Sequence, residues 1–78
     1  MALPIFRHAD GGHYIIVETD NFSIKMDDGR WEPGVLYRRV ERGPSGQWQY
    51  ESSRKFATTK ARWAERFEAT GETTARTL

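Results

Sequence analysis

The chain has 78 residues, no cysteine and a formal net charge of +1 at neutral pH. A chain of this length buries one small core, which excludes a second domain and a deep substrate cavity enclosed on all sides. The lack of cysteine excludes disulfides and thiolate zinc sites, and the near-neutral charge argues against a dedicated non-specific nucleic-acid binder. We therefore expect the three Trp, three Tyr and four Phe to hold the core together.

The N-terminal segment predicts an arm, a turn and then a strand. We expect residues 1–12 to be an entry arm, because Pro4 has no N–H to donate and the Asp-Gly-Gly sequence at 10–12 is typical of a turn. His13–Glu18 is rich in β-branched and aromatic residues and predicts the first strand. The absence of a signal-peptide pattern, of an apolar stretch of ~20 residues and of cysteine predicts a cytoplasmic protein without membrane contact.

The second strand is predicted over residues 22–27. Apolar and polar side chains alternate there, which is the pattern of a half-buried strand. An Asp-Gly pair at 28–29 follows as a hairpin signal, but a Pro-Gly pair at 33–34 interrupts the returning chain. We therefore expect residues 28–34 to form a long turn.

The next two strands are predicted to pair as a hairpin. They cover residues 35–40 and 47–51, and the loop between them has the turn-forming composition Gly-Pro-Ser-Gly at 43–46. Trp48 and Tyr50 fall on one face of the second strand. We expect Trp48 to lie in the core beneath the helix, because so small a core needs its large rings.

The period of the apolar residues changes after residue 53. The side chains that share one helical stripe are Phe56, Lys60, Trp63, Ala64 and Phe67. This stripe predicts a helix over residues 59–70, with Thr58 or Thr59 as N-cap, Gly71 as the stop and residues 72–78 as a frayed polar tail.

Four strands followed by one helix predict an α+β, mostly β fold in a single domain over residues 1–71. Two architectures fit this pattern: a small antiparallel four-stranded meander, or a partly open SH3-like barrel, in either case with one C-terminal helix. An exposed strand edge leaves both a monomer and a dimer open.

The residues that might carry chemistry do not form a recognisable active site. His8, Asp10 and His13 have ligand chemistry, but they flank a Gly-Gly turn and lack a further His or Cys, so we expect no metal. Asp27 and Asp28 are predicted at an open hairpin tip, where water prevents burial from raising a carboxyl pKa. No nucleophile elbow or phosphate-binding loop is present. We therefore expect neither catalysis nor a cofactor.

The charges are distributed unevenly along the chain and define two candidate surfaces. The acidic side, the candidate for protein binding, comprises Glu18, Asp20, Asp27, Asp28, Trp31 and Glu32. The basic side, the candidate for nucleic-acid binding, comprises Arg38, Arg39, Arg42, Arg54 and Lys55, with Trp48 and Tyr50 nearby. Aromatic rings beside arginines can stack on bases, and Trp, Tyr and Arg are also enriched in protein interfaces.

Several short segments resemble an uncharacterised family of short bacterial and phage proteins. Residues 7–14 match its R-H-x-x-G-G-x-Y opening, residues 35–38 match its V-x-Y-R segment, and the end of the 63–67 segment is similar to its aromatic-R-F close. The family's W-V-R-P stretch has no clean counterpart; the nearest is residues 48–51, which read W-Q-Y-E. The resemblance implies a small β-rich domain of phage or mobile-element origin, and it implies no activity.

Two functional hypotheses follow from these features. The first is a non-catalytic protein that covers a surface on a host protein complex in the bacterial cytoplasm, for example an inhibitor of a host defence system such as an anti-CRISPR protein. Its acidic side would suit the basic groove of a nucleic-acid-binding host protein. The alternative is a small nucleic-acid-binding module that uses the basic side.

Overall fold

The computed structural model describes residues 2–75 and residue 78, and most of these residues lie in one antiparallel β-sheet. In chain order the elements are β1 (Pro4–His8), β2 (His13–Glu18), β3 (Ser23–Lys25), β4 (Trp31–Arg42), β5 (Trp48–Tyr50), β6 (Phe56–Thr59), α1 (Lys60–Arg66) and β7 (Phe67–Thr73). The molecule is elongated, with extents of 46 × 21 × 19 Å. The predicted class, α+β and mostly β with one helix, is confirmed.

Strand β4 is the centre of the sheet. Its residue Tyr37 pairs with Ile16 of β2 and also with Phe56 of β6, so β2 and β6 lie on opposite edges of β4. Strand β1 pairs with both β2 and β7, which gives the order β7-β1-β2-β4-β6 across the sheet. The last strand returns to pair with the first, so β7 lies at one edge of this order and β6 at the other, and the sheet is open.

The sequence predicts four strands, whereas the described part of the chain has seven. The predicted entry arm is wrong for Pro4–His8, which forms β1. Ile5 and Phe6 point to opposite faces of the sheet and join different core clusters. Pro4 is tolerated because it opens the strand, next to a register shift in the pairing of β1 with β7.

The predicted long turn over residues 28–34 is also wrong. Met26 N donates to Arg30 O over 2.7 Å, and Gly29 adopts a positive φ of 88°, so the chain reverses within a few residues and β4 begins at Trp31. Gly34 lies within β4, where a Cβ would come within 2.9 Å of Ile24. The Pro-Gly pair is therefore part of the strand and permits close packing of the hairpin.

The helix is shorter than predicted and it is not C-terminal. Thr59 is its N-cap, as predicted, with Oγ1 accepting a 3.1 Å hydrogen bond from Arg62 N. The helix ends at Arg66 because Phe67 has an extended backbone and pairs with His8 of β1. The apolar stripe misled the prediction because its members belong to three elements, and of the stripe residues within α1 only Trp63 is buried. No helix among the described residues has the length and apolarity needed to cross a membrane.

The C-terminal segment differs from the predicted frayed tail. Gly71 does not stop the helix; it lies in β7 with a φ of +84°. Thr74 is buried, and its N donates to Leu3 O over 2.9 Å while its Oγ1 accepts from Leu3 N over 2.9 Å. Leu78 packs against the core. The rest of the predicted tail includes residues 76 and 77, which lie outside the described residues.

The core has two clusters of buried residues. The first consists of Ile5, Ile15, Val40 and Trp48. The second consists of Tyr14, Val35 and Trp63, with five half-buried side chains packed against it. Neighbouring residues of β2 join different clusters because side chains alternate across a strand. The prediction that Trp48 is a core residue is confirmed, but it lies in the first cluster and the helical Trp63 in the second.

Candidate protein-binding surface

The β3–β4 hairpin, residues 23–33, is held together at its turn by an arginine. Arg30 Nε donates to Asp28 Oδ2 over 2.6 Å, and Arg30 N donates to Asp28 Oδ1 over 3.0 Å. The same guanidinium lies 3.6 Å from Glu32 Oε2. This Arg30 network joins the turn to the start of β4. The backbone hydrogen bond and then the guanidinium hold the pKa of Asp28 below its ordinary value of 3.8.

The two faces of the hairpin have different environments. Ile24 and Met26 are half-buried and line a depression of about 360 Å³ that β6 and Arg62 complete. Lys25 pairs with Trp31 across the hairpin, so both belong to the opposite face, and both are exposed. One face therefore packs onto the domain while the other faces solvent.

Trp31 is the most exposed large hydrophobic residue of the described chain. Its relative accessibility is 66 %, against 41 % for Val17, the other exposed residue of this kind. Within the described residues, neither an aromatic ring nor a cation packs on the indole of Trp31. Burial of such a ring releases roughly 150–250 Å² of surface from water, so a partner that covers it gains a large apolar contact.

The acidic side is brought together only in part. Asp27, Asp28, Trp31 and Glu32 share the closed end of the hairpin. Asp28 and Glu32 share the single guanidinium of Arg30, whereas the exposed Asp27 carboxylate forms no ion pair among the described residues. The remaining two members lie beyond the other end of β3: Glu18 ends β2, where its carboxylate accepts from Thr19 N, and Asp20 is exposed in the connection that follows.

The basic side is largely engaged within the protein. The Cζ atom of Arg38 lies 3.4 Å from the centroid of the Tyr50 ring, and its Nη2 donates to Ser52 O over 2.7 Å. The Cζ atom of Arg42 lies 4.3 Å from the Trp48 ring. Arg42 also donates to Gly46 O over 2.6 Å and to Glu72 Oε1 over 2.8 Å. These two guanidinium groups therefore cover the rings that the nucleic-acid hypothesis needs for stacking.

The other basic candidates are more open. The Cζ atom of Arg54 lies 5.1 Å from the Phe56 ring, and that of Arg39 lies 5.9 Å from the Tyr14 ring. Both arginines and Lys55 are exposed, and none forms an ion pair among the described residues. The structure thus separates the predicted basic side into two engaged arginines and three available cations.

Both histidines lie in strands of the folded body, His8 in β1 rather than in the predicted entry arm and His13 in β2. His8 ends β1, and its ring centroid lies 4.6 Å from that of Phe67. Its Nδ1 accepts a 3.0 Å hydrogen bond from Asp10 N. The hydrogen bond from Gly12 N is the main cause that holds the pKa of Asp10 below its ordinary value. His13 packs on Trp48 at 5.2 Å, and no group of three potential metal ligands occurs among the described residues.

The sequence did not predict which arginines contact aromatic rings within the protein. One of these contacts could have been inferred from the pairing of β4 with β5. Arg42 lies directly opposite Trp48 in the β4–β5 pairing, and facing side chains in an antiparallel pair contact one another. The predicted strand over residues 35–40 ended before this pair. Extending it by two residues would have indicated the contact.

Comparisons with known proteins give no relative from which a function could be transferred. No family model matches the chain, and no curated protein or solved structure does either. The family resemblance of residues 7–14 therefore stays a prediction. The functional assignment rests on the surface chemistry described above.

Proposed function

We propose that this protein is a non-catalytic protein-binding module that uses the exposed face of the β3–β4 hairpin, with Trp31 as its anchor. The observation that carries the proposal is the 66 % exposure of Trp31 in a chain whose other two tryptophans are buried. Tryptophan is among the residues most enriched in interface hot spots, because a covered indole removes much apolar area from water.

The geometry of the hairpin supports this role. Arg30 ties Asp28 to Glu32 on either side of Trp31 in the chain, so the backbone that presents the indole is held in place before a partner arrives. Less conformational freedom is then lost on binding. A flexible loop that presented the same ring would bind more weakly for the same contact area.

The charges favour a partner with a basic surface. Asp27 adds a carboxylate without an ion pair among the described residues in the turn that precedes the anchor, which offsets the exposed Lys25 opposite Trp31. Asp20 and Glu18 add negative charge beyond the far end of β3. Such a distribution accelerates encounter with a positively charged surface. A bacterial host complex that binds nucleic acid has such a surface, and an inhibitor of host defence, such as an anti-CRISPR protein, is one concrete form of the proposal. The phage or mobile-element origin is supported only by the resemblance of residues 7–14, 35–38 and 63–67 to the uncharacterised family.

A second candidate function is nucleic-acid binding through the available cations. Arg39, Arg54 and Lys55 are exposed and have no acidic partner among the described residues, which favours contact with phosphates. The rings of Trp48 and Tyr50 are covered by arginines, so base stacking on them is not available. If the protein has this function, it should bind DNA or RNA without sequence preference, and its affinity should fall with increasing salt.

The test compares two variants that each remove an exposed apolar side chain. The wild type, Trp31→Ala and Val17→Ala are immobilised, and proteins retained from a bacterial lysate are identified by mass spectrometry. We expect a specific protein to be retained by the wild type and by Val17→Ala and to be lost with Trp31→Ala. Retention of the same proteins by all three would contradict the proposal. Circular dichroism of each variant confirms that the fold is intact.

The second candidate has a separate test. Affinity for generic single- and double-stranded DNA and RNA is measured at low and high salt, with the wild type and an Arg39→Glu, Lys55→Glu double variant. Nucleic-acid binding requires affinity that falls steeply with salt and is lost in the double variant. If the wild type does not bind DNA or RNA even at low salt, this candidate function is excluded.

A further inference from the structure

The aromatic rings of this chain differ in whether the protein supplies them with a cation. Guanidinium groups lie over Tyr50 at 3.4 Å, over Trp48 at 4.3 Å and over Phe56 at 5.1 Å, measured from Cζ to the ring centroid. Trp31 has no such cover among the described residues, although indole is the aromatic ring that binds cations best. Of the indole rings, Trp48 is therefore covered by a guanidinium, whereas Trp31 is left open to solvent.

The nearest cations of the chain do not occupy the Trp31 ring. Arg30 is adjacent in sequence, but Asp28 and Glu32 hold its guanidinium in the ion pairs of the Arg30 network. Lys25 lies opposite Trp31 in the strand pairing, and no contact joins its ammonium to the ring. Among the described residues, no cation therefore lies over the indole of Trp31.

A carboxylate without an ion pair lies in the adjoining turn. Asp27 is exposed and follows Met26, whose backbone N–H closes the turn on Arg30. A planar guanidinium can stack on an indole while its edge donates hydrogen bonds to a carboxylate. A lysine ammonium lacks this planar shape, and a neutral group lacks the charge.

We propose that Trp31 and Asp27 together bind the guanidinium group of an arginine on the basic surface of the partner protein. This inference rests on the proposed function, since it specifies the chemistry of the partner at the same surface. Trp31 supplies the stacking face, and Asp27 supplies the countercharge. The partner is thus a protein that presents an exposed arginine, and a lysine in its place binds less well.

The probe is a short blocked peptide with three arginines separated by glycines, alongside matched peptides that carry lysine or citrulline. Citrulline keeps the planar shape of arginine and lacks the charge. Binding is followed by the indole N–H signal of Trp31 in NMR spectra, identified by its disappearance in Trp31→Phe. The buried Trp48 and Trp63 supply two internal reference signals in the same spectrum.

We expect the arginine peptide to shift the Trp31 signal in a saturable way while the Trp48 and Trp63 signals stay in place. The lysine peptide should bind at least about threefold more weakly, and the citrulline peptide should give no saturable shift. Equal affinity for the arginine and citrulline peptides, or equal movement of all three indole signals, would overturn the proposal.

Two carboxylate variants separate a local contact from a general effect of charge. Asp27→Asn removes the proposed countercharge, and Glu65→Gln removes an equal charge from the exposed surface of α1, which lies outside the hairpin. We expect Asp27→Asn to weaken binding of the arginine peptide at least about threefold. Glu65→Gln should leave the affinity for this peptide unchanged. Equal weakening by both variants would overturn the role of Asp27.

The outcome is distinguishable from failure of the proposed function. If a protein is captured from lysate in a Trp31-dependent way and the arginine peptide does not bind, the protein-binding function stands and the guanidinium site is wrong. If the arginine peptide binds as expected and no Trp31-dependent capture occurs, the site is supported and the proposed function is contradicted.

Discussion

The two halves of strand β4 use the same kinds of residue in opposite ways. In the C-terminal half, Arg38 and Arg42 lie over Tyr50 and Trp48, so cation and ring satisfy one another within the chain. In the N-terminal half, the Trp31 ring is mostly exposed and no cation of the described part of the chain lies over it. The difference shows that an arginine-aromatic composition does not by itself identify a binding surface. What matters is whether the chain already supplies the partner group.

The cause of the difference lies in what neighbours each half. Between Leu36 and Val40, strand β4 pairs with β2 on one edge and with β5 or β6 on the other, which places Tyr37 and Val40 against the core clusters. At Trp31 the strand pairs with β3 alone. Fewer neighbouring strands leave fewer side chains to cover the ring.

The largest expected effect on the free energy of unfolding comes from Trp63, a buried tryptophan. Trp63 stacks on Phe67 at 3.8 Å and contacts Phe6 and Tyr37 edge to face. Trp63→Ala should lower the free energy of unfolding by about 3–5 kcal/mol, because it leaves a cavity among packed rings. Trp31→Ala should change it by less than about 0.5 kcal/mol. Urea denaturation followed by circular dichroism measures both values.

A milder variant keeps this prediction testable if Trp63→Ala does not fold. Trp63→Phe retains a ring against Phe67, so it should unfold at a urea concentration between those of Trp63→Ala and the wild type. If Trp63→Ala and Trp31→Ala unfold at the same urea concentration, the division of the tryptophans into core and surface residues is wrong.

Much of the fold was predictable from periodicity. The strand His13–Glu18, the β4–β5 hairpin and the Thr59 cap follow from local patterns of apolar residues, turn residues and hydroxyl groups. Strand β1 was not predictable in this way because Pro4 and the following Gly-rich turn resemble a loop, and its pairing with β7 joins residues 59 to 69 positions apart in sequence. Local patterns carry no signal for such a contact.

The candidate site was predictable in composition and only partly in geometry. The hairpin signal at residues 28–29 placed Asp27 and Asp28 at a tip, as observed. The ion pairs of Arg30 with Asp28 and Glu32 were missed because the predicted long turn fixed no register between these side chains. Register sets which side chains face one another across a hairpin, and it depends on the turn geometry.

The next largest effect on the free energy of unfolding distinguishes an arginine that is engaged within the protein from one that is available. Arg42 covers Trp48 and pairs with Glu72, whereas Arg39 has no ion pair among the described residues. Arg42→Ala should lower the free energy of unfolding by about 1 kcal/mol, since it removes a cation–aromatic contact and a partly exposed ion pair. Arg39→Ala should change it by less than about 0.5 kcal/mol. Thermal and urea unfolding of the two variants measure the difference, and equal losses would contradict the separation of the basic side.

The smallest expected effect is a pH-dependent contribution of Asp28, in the β3–β4 hairpin, to the stability of the fold. The pKa of Asp28 lies below 3.8 in the folded protein, first because Arg30 N donates to its carboxylate and second because of the Arg30 guanidinium. A lowered folded pKa means that ionised Asp28 stabilises the fold above pH 3.8 and that this contribution is lost as the pH falls through the folded pKa. Asp28→Asn removes the charge and should therefore be slightly less stable than the wild type at neutral pH.

The difference between wild type and Asp28→Asn should shrink on acidification and vanish once Asp28 is protonated in both the folded and the unfolded protein. Asp27→Asn is the matched control, because Asp27 is its neighbour and has no ion pair among the described residues. Urea midpoints measured at a series of pH values from neutral to below 3.8 follow the effect. A difference that stays constant across that range would mean that the Arg30 network does not stabilise the hairpin. Trp31 would then be presented by a backbone that the partner itself must order.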